Sequence, residues 1–401
     1  MTQRLYLLDS MLSSFDAVVT ACEPDRDAFL IELDQSAFFP NKGGQPCDVG
    51  TVGEAVVSDV NERGEHLLHR ADRAIPVGTA VHCELDFARR FDIMQQHTGE
   101  HLLSYCAWRL FGAQNVGFHC ALSYATLDLD KAVGHEGIAE IERLANRLAA
   151  ENAAVTAKIY ETEEDLKGIP LRKHAEGLEA PIRIVTIEGS DACTCCAPHV
   201  RRTGEIGQLK IIDAIPYKGG TRCTFLCGMR ALSHAQQMQD TVSAIALKFS
   251  TAREQAEAAV QKQADELSET KRALRQAYAA LDEYLANALK AEAETVNGTK
   301  LIVKTLESVD AKRLRNLAGA TMTEHALTVL FSDTGDRVSY LLASNGVKTD
   351  MGVLIGAVNA AFSGNGGGRG TLAQGSAKKP SGMAETVEGL KTYFRNVLLH
   401  G

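Results

Sequence analysis

Residues 91–111 read FDIMQQHTGEHLLSYCAWRLF, and their apolar side chains recur at intervals of three and four residues. This spacing is typical of one face of a helix. His97 and His101 lie four residues apart on that face, so their imidazoles point in the same direction. The segment therefore predicts a helix that carries two histidines able to bind one metal ion.

Residues 192–207 contain a second pair of candidate metal ligands in the run ACTCCAPHVRRTGEIG. Cys195 and His199 are again four residues apart, and Cys193 and Cys196 are rival thiols beside them. Thiolate and imidazole together favour Zn²⁺ over magnesium or calcium. We therefore expect one Zn²⁺ per chain, with these ligands: His97, His101, Cys195 and His199. The sequence leaves open whether Cys193 or Cys196 replaces Cys195.

The whole chain, including the histidine helix, divides into four parts. The predicted fold class is α+β. Residues 1–90 consist of short alternating runs broken by turns, which predicts a small β-barrel-like domain. Residues 91–230 add a second helix near 135–151 and several strand-like runs, which predicts an α+β domain. Residues 231–294 predict a long helical arm, and residues 295–401 predict a compact α/β domain with a glycine-rich loop.

The predicted helical arm has no proline and shows a break signal near Ser250-Thr251. An apolar residue recurs every seven positions along its second half, at Val260, Leu267, Leu274 and Leu281. Such a row is typical of a helix that packs against another helix. It predicts either a homodimer, formed through this arm or the C-terminal domain, or an arm that folds back on itself.

Composition limits the class of protein. The chain has 401 residues, a formal net charge of -9 and 45% hydrophobic residues, close to ordinary globular usage. Its apolar runs are too short to cross a bilayer, and its first residues lack a secretory signal, so we expect a cytoplasmic protein without membrane contact. Ten cysteines in such a chain favour thiols and metal ligation over disulfides.

Four motifs resemble parts of one known family. MQQHTGEHLL (94–103) and CCAPHVRRTGEIG (195–207) resemble the two metal-binding motifs of the alanyl-tRNA synthetase editing domain. FFPNKGGQPCDVG (38–50) resembles the glycine-rich signature of the β-domain that precedes it. SGNGGGRGTLAQGSA (363–377) is similar to the glycine-rich signature of the DHHA1 domain. The chain thus resembles free-standing alanyl-tRNA editing proteins of the long AlaX type.

This resemblance implies a function for each part. It implies a zinc-binding editing domain at 91–230 and a DHHA1-like, tRNA-binding domain at 295–401. The implied activity is trans-editing: zinc-dependent hydrolysis of the ester in Ser-tRNA(Ala), and often in Gly-tRNA(Ala). The partner would be mischarged tRNA(Ala), and no aminoacylation is expected, since residues 1–90 leave no room for a class II aminoacylation domain.

A synthetase pocket for alanine excludes serine poorly, because one added hydroxyl is nearly isosteric, so a second site that binds this hydroxyl is needed. We expect polar side chains near the metal to contribute to recognition and hydrolysis: Asn41, Gln45, Gln96 and Thr98. Glu100 is not in H-E-x-x-H register and is expected to be a solvated helix residue. The alternatives are a non-catalytic, zinc-containing tRNA-binding protein and a threonyl-type editing hydrolase.

Overall fold

The computed structural model describes residues 2–162, 164–166, 168–172 and 181–400. Two compact units divide the chain, Met1–Ile245 and Ala246–Gly401. The finer division into four domains stays a prediction. Short 3₁₀ turns occur at Leu5–Leu7, Glu164–Leu166, Thr203–Ile206 and Arg253–Gln255.

The first unit begins with eight strands: β1 (Gln3–Arg4), β2 (Ser14–Asp25), β3 (Ala28–Leu33), β4 (Gln35–Ser36), β5 (Gly50–Val52), β6 (Ala55–Arg63), β7 (His66–Ala71) and β8 (Ala80–Leu85). Six of them pair in the closed order β2-β3-β7-β6-β5-β8, and β1 pairs in parallel with β4. Buried and exposed residues alternate along β2 and β8, as expected for strands with one face on a core. The interior contains the apolar side chains of Phe15, Ile31 and Val60.

Helix α1 (Phe87–Phe111) follows the barrel directly. The Asp86 side chain accepts a hydrogen bond from the Arg89 amide, and Gly112, with a φ of 60°, ends the helix in the left-handed conformation. Residues 93–107 are all buried. The helix is therefore central to the unit, and its burial exceeds the single apolar face that the sequence predicts.

The rest of the first unit surrounds α1. Its elements are β9 (Asn115–Cys120), β10 (Ala125–Leu129), α2 (His135–Ala150), β11 (Val155–Tyr160), β12 (Ile182–Ile187), β13 (Ala192–Thr194), β14 (Leu209–Tyr217) and β15 (Gly220–Cys227). One sheet has the order β14-β15-β10-β9, and a second has the order β11-β12-β13. Helices α1 and α2 share one apolar core with the four-stranded sheet. This arrangement confirms a mixed α+β fold.

Two helices, α3 (Gly228–Lys248) and α4 (Ala256–Ala291), occupy the segment predicted as a helical arm. The helical structure is interrupted between α3 and α4, where Ser250 has a φ of 51°. The predicted break near Ser250-Thr251 is confirmed. No helix among the described residues is both long and apolar enough to span a bilayer.

The second unit continues with β16 (Glu294–Val296), β17 (Thr299–Glu307), α5 (Ala311–Thr321), β18 (Ala326–Asp333), β19 (Arg337–Asn345), α6 (Met351–Phe362), β20 (Asn365–Arg369), β21 (Leu372–Lys378) and α7 (Met383–His400). The sheet order is β16-β17-β18-β19-β21-β20. Alternate residues of β18 pack against α6 and α7 on one face and against α4 and α5 on the other.

The glycine-rich segment at 365–369 is strand β20 and not the loop that the sequence predicts. Its glycines let it pair closely with β21. A Cβ at Gly366 would overlap Gly375, and a Cβ at Gly368 would overlap Ala373. Glycine suits such close backbone approach, although it is a poor strand former in general.

Candidate metal centre

The four residues proposed as ligands from the sequence meet at one point. One side-chain donor atom from each of His97, His101, Cys195 and His199 lies within 4.8 Å of the others. Cys195 Sγ lies 3.5 Å from His97 Nε2 and 3.3 Å from His199 Nε2. Helix α1 supplies two of the imidazoles, and the loop after β13 supplies the thiol and the third imidazole. Three imidazoles and one thiol form a donor set that fits Zn²⁺.

The second ring nitrogen of each histidine is held by another side chain. The contacts are His97 Nδ1 to Gln45 Oε1 (2.5 Å), His199 Nδ1 to Thr98 Oγ1 (3.0 Å) and His101 Nδ1 to Asp191 Oδ2 (3.2 Å). When Nε2 binds a metal, Nδ1 carries the proton and donates a hydrogen bond to such a partner, which fixes the ring orientation. Gln45 and Thr98 thus orient two of the candidate ligands.

The glycine-rich loop of the barrel places Gln45. Gly44 has a φ of 77°, and a Cβ at this position would overlap the carbonyl oxygen of Phe118. The Cys120 amide donates a 2.6 Å hydrogen bond to the Gly44 carbonyl, which fixes the loop to β9. Only glycine combines this backbone conformation with this close contact. The loop therefore brings Gln45 to His97.

Cys195 is the thiol of the four-residue cluster, whereas Cys196 is exposed. Burial opposes ionisation of Cys195, but His97 and His199 lower its pKa well below that of an ordinary thiol. Burial instead raises the pKa of Cys193, which forms a separate group with His101 and Asp191. These differences favour Cys195 as the ligand.

A buried ion pair lies behind His101. Arg172 Nε donates to Asp191 Oδ1 at 2.6 Å, and Arg172 Nη2 donates to Asp191 Oδ2 at 3.0 Å. Burial alone would raise the pKa of Asp191, but hydrogen bonds from His101 and Arg172 lower it to about 2. The ionised Asp191 can therefore hold His101 at neutral pH. The sequence gives no signal for this pair, since Arg172 and Asp191 meet only through the fold.

The loop that carries Cys195 is fixed by a second buried arginine that the sequence did not reveal. Arg183 Nη1 donates to the carbonyl oxygens of Cys195 at 2.8 Å and Ala197 at 2.9 Å. These bonds span the turn between the thiol and His199. Loop geometry at the metal centre thus depends on strand β12.

A cavity of about 350 Å³ opens onto the metal centre. Phe39 and Phe118 give it apolar walls, and Glu100, Asn115 and Arg172 contribute polar groups. Glu100 is not solvated as expected, because only 4% of the residue is exposed. Its carboxylate accepts hydrogen bonds from Asn115 Nδ2, at 2.6 Å, and from Ser104. In the sequence, the position of Glu100 between the two histidines was the signal that could have indicated its place in this cavity.

The remaining candidate side chains lie outside the cavity lining. Gln96 binds the backbone of Cys227 through both its amide oxygen, at 2.8 Å, and its amide nitrogen, at 3.2 Å. Asn41 donates to Asp59 at 2.6 Å and accepts from the Cys47 amide at 2.9 Å. Neither Gln45 nor Thr98 lines the cavity, although both contact metal-centre histidines. A direct role for any of the four in catalysis stays a prediction.

Two family models match the chain. The threonyl and alanyl tRNA synthetase second additional domain matches residues 182–223, which include Cys195 and His199. The DHHA1 domain matches residues 298–396, within the second unit.

Comparison with known proteins gives relatives of two kinds. Alanine–tRNA ligases of Thermococcus kodakarensis and Pyrococcus furiosus are 31% and 30% identical, over 97% of this chain and 43% of each relative. The alanyl-tRNA editing protein Aarsd1 of Danio rerio is 29% identical over 61% of this chain and 63% of its own length. The chain spans less than half of those ligases. It carries the second additional domain and the DHHA1 domain, and it is homologous to alanyl-tRNA synthetases and to an alanyl-tRNA editing protein.

Proposed function

We propose that this protein is a trans-editing hydrolase that removes serine or glycine from mischarged tRNA(Ala) and does not itself aminoacylate. The observation that carries the proposal is the four-residue donor cluster, of which His97, His101 and Cys195 line a cavity. Homology to an alanyl-tRNA editing protein supports the reaction class. The substrate ester joins the amino acid to the terminal ribose of the tRNA, and the products are the free amino acid and uncharged tRNA.

Zinc would be bound by His97, His101, Cys195 and His199, and when bound it would polarise the ester carbonyl, orient the amino acid or activate water. The protein's own residues determine the geometry of that site. Gln45 and Thr98 hold two of the imidazoles through Nδ1, and Asp191 holds the third. Their contacts leave each Nε2 available to the metal.

The cavity can distinguish serine from alanine by its polar groups. Glu100, Asn115 and Thr194 line it and offer acceptors and donors for an α-ammonium group and a hydroxyl. A site that hydrogen bonds a substrate hydroxyl disfavours alanine, because alanine would leave buried polar groups unpaired at about 1–3 kcal/mol per group. Ser-tRNA(Ala) would therefore be hydrolysed in preference to Ala-tRNA(Ala), whereas hydrolysis of Gly-tRNA(Ala) would depend on the smaller size of glycine and not on this hydroxyl contact.

The partner in this proposal is tRNA(Ala), and the DHHA1 domain at 298–396 would bind part of it. The net charge of -9 argues against general nucleic-acid binding, so local contacts would provide the affinity. The cytoplasmic location stays a prediction.

The test is a deacylation assay with Ser-, Gly- and Ala-tRNA(Ala), using zinc-loaded wild type, Cys195→Ala and Cys22→Ala. We expect hydrolysis of the mischarged species and not of Ala-tRNA(Ala). Cys195→Ala should abolish turnover, whereas Cys22→Ala, in barrel strand β2, should not. Intact Ser-tRNA(Ala) and Gly-tRNA(Ala) after incubation with wild type would exclude the proposal.

Two other outcomes would select the alternatives. Tight binding of tRNA(Ala) without ester turnover would indicate a non-catalytic zinc-containing tRNA-binding protein. Preferential hydrolysis of Ser-tRNA(Thr) would indicate a threonyl-type editing hydrolase. The matched second additional domain occurs in threonyl as well as alanyl tRNA synthetases. The DHHA1 match and the alanine-specific relatives favour the alanyl type.

A further inference from the structure

Arg172 is a buried cation with one unused donor. Only 4% of its side chain is exposed, and two of its nitrogens are bound by Asp191. Its third nitrogen, Nη1, is buried without a hydrogen-bond partner among the described residues. Leaving a buried charged donor unpaired is costly, so such a group in a native site calls for a ligand.

The residue that carries the unused donor lies in the wall of the cavity at the metal centre. Arg172 lines this cavity together with the candidate ligands His97, His101 and Cys195. A molecule bound at the metal centre can therefore meet the guanidinium as well. Arg172 precedes the segment that matches the second additional domain, residues 182–223. The guanidinium therefore lies outside the matched segment.

Asp191 makes the guanidinium rigid. The two parallel hydrogen bonds, at 2.6 Å and 3.0 Å, fix the plane of the group and balance its charge. Arginine also stays protonated at any working pH. A donor that is fixed before the reaction begins stabilises charge that develops in the transition state without further reorganisation.

We propose that Arg172 is a further catalytic residue, whose Nη1–H donates to the carbonyl oxygen of the aminoacyl ester as that oxygen becomes negatively charged. This inference rests on the proposed function. Water adds to the carbonyl carbon, and the carbonyl π electrons move onto the oxygen. When that intermediate collapses, the bond to the ribose oxygen breaks and this oxygen takes a proton that came from water. The amino acid leaves with a carboxylate, and the second proton passes to solvent.

The test compares Arg172→Gln and Arg172→Lys with wild type in single-turnover deacylation of Ser-tRNA(Ala). Removing one donor to an oxyanion should lower the rate constant about 10²–10³-fold in Arg172→Gln. Arg172→Lys keeps a cation beside Asp191 and should lose less. Arg222→Gln is the matched control, because Arg222 also forms a two-bond pair, with Asp128, but does not line the cavity.

Binding of two stable analogues separates transition-state from ground-state contacts. One is a 3′-amide of serine and adenosine, which mimics the substrate, and the other is the corresponding phosphonate, which carries tetrahedral negative charge. Arg172→Gln should weaken phosphonate binding by the same factor as the rate constant and leave amide binding unchanged. Zinc content, measured by atomic emission, should stay at one per chain.

Four results would overturn the assignment. An unchanged rate constant in Arg172→Gln would show that Nη1 does not reach the reacting ester, while the proposed function would stand. Equal weakening of both analogues, or loss of zinc in both variants, would show a binding or structural role. If wild type itself leaves both Ser-tRNA(Ala) and Gly-tRNA(Ala) intact, the proposed function fails and the assignment fails with it.

Discussion

At the scale of single residues, the histidines of the metal centre use both ring nitrogens. Each directs one nitrogen to the cluster and the other to a glutamine, a threonine or an aspartate. Partners of this kind fix ring orientation and are worth about 10–100-fold in metal affinity in comparable sites. The sequence spacing of the candidate ligands is thus not sufficient for a metal site. Three further side chains, which come from different parts of the chain, must also orient the imidazoles.

Another buried histidine, His69, lies in strand β7 of the barrel. Its Nε2 lies 2.8 Å from Ser36 Oγ and its Nδ1 lies 3.0 Å from the Ile31 carbonyl oxygen. Burial lowers the pKa of His69 to about 4. Because the unfolded chain binds this proton near pH 6.5 and the folded chain does not, stability is lost as the pH falls from 6.5 towards 4.

We expect His69→Gln to reduce this loss. The His69 contribution should fall by roughly 2–3 kcal/mol between pH 7 and pH 4.5, so the stability difference between wild type and variant should shrink by that amount. Urea unfolding followed through Trp108, the one tryptophan, measures the first unit. His135→Gln, at an exposed position, is the control and should keep the wild-type pH dependence. A constant difference between wild type and His69→Gln would contradict the expectation.

At the scale of elements, periodic segments were predictable and contact-dependent ones were not. The helix α2, the helix α6 and the break between α3 and α4 follow from local patterns of apolar and turn residues. Strand β20 does not, because its glycines have no strand preference and form a strand only by close pairing with β21. The burial of Glu100 was likewise not predictable, because its hydrogen-bond partner Asn115 comes from β9.

Helix α4 displays an exposed apolar row in the second unit. Leu267 and Leu274 are 53% and 51% exposed, and they continue the seven-residue spacing that the sequence shows. A homodimer through this row therefore stays a prediction, and Leu267→Lys should convert such a dimer to monomer in sedimentation velocity. Ser268→Lys adds the same charge one position away and should not. A wild-type monomer across micromolar concentrations would exclude the dimer.

At the scale of the whole molecule, the metal centre lies in one unit and the DHHA1 domain in the other. The order of the motifs along the sequence could predict this separation, because the two metal-binding motifs lie in the first unit and the DHHA1 signature lies in the second. The Arg172–Asp191 pair and the cavity could not be predicted, since they require β13, α1 and the barrel loop to meet. Metal binding should accordingly stabilise only the first unit.

Removing the metal tests that separation. Bound zinc at 100 times its dissociation constant stabilises the folded unit by about 2.7 kcal/mol, which corresponds to a melting shift of about 5–10 °C for a unit of this size. A chelator should therefore lower the transition reported by Trp108 and leave a second calorimetric transition in place. Cys195→Ala should melt at the lower temperature with or without chelator, because it lacks a ligand. A single transition that the chelator shifts as a whole would show that the two units unfold as one, and no shift would show that the cluster does not hold a stabilising metal.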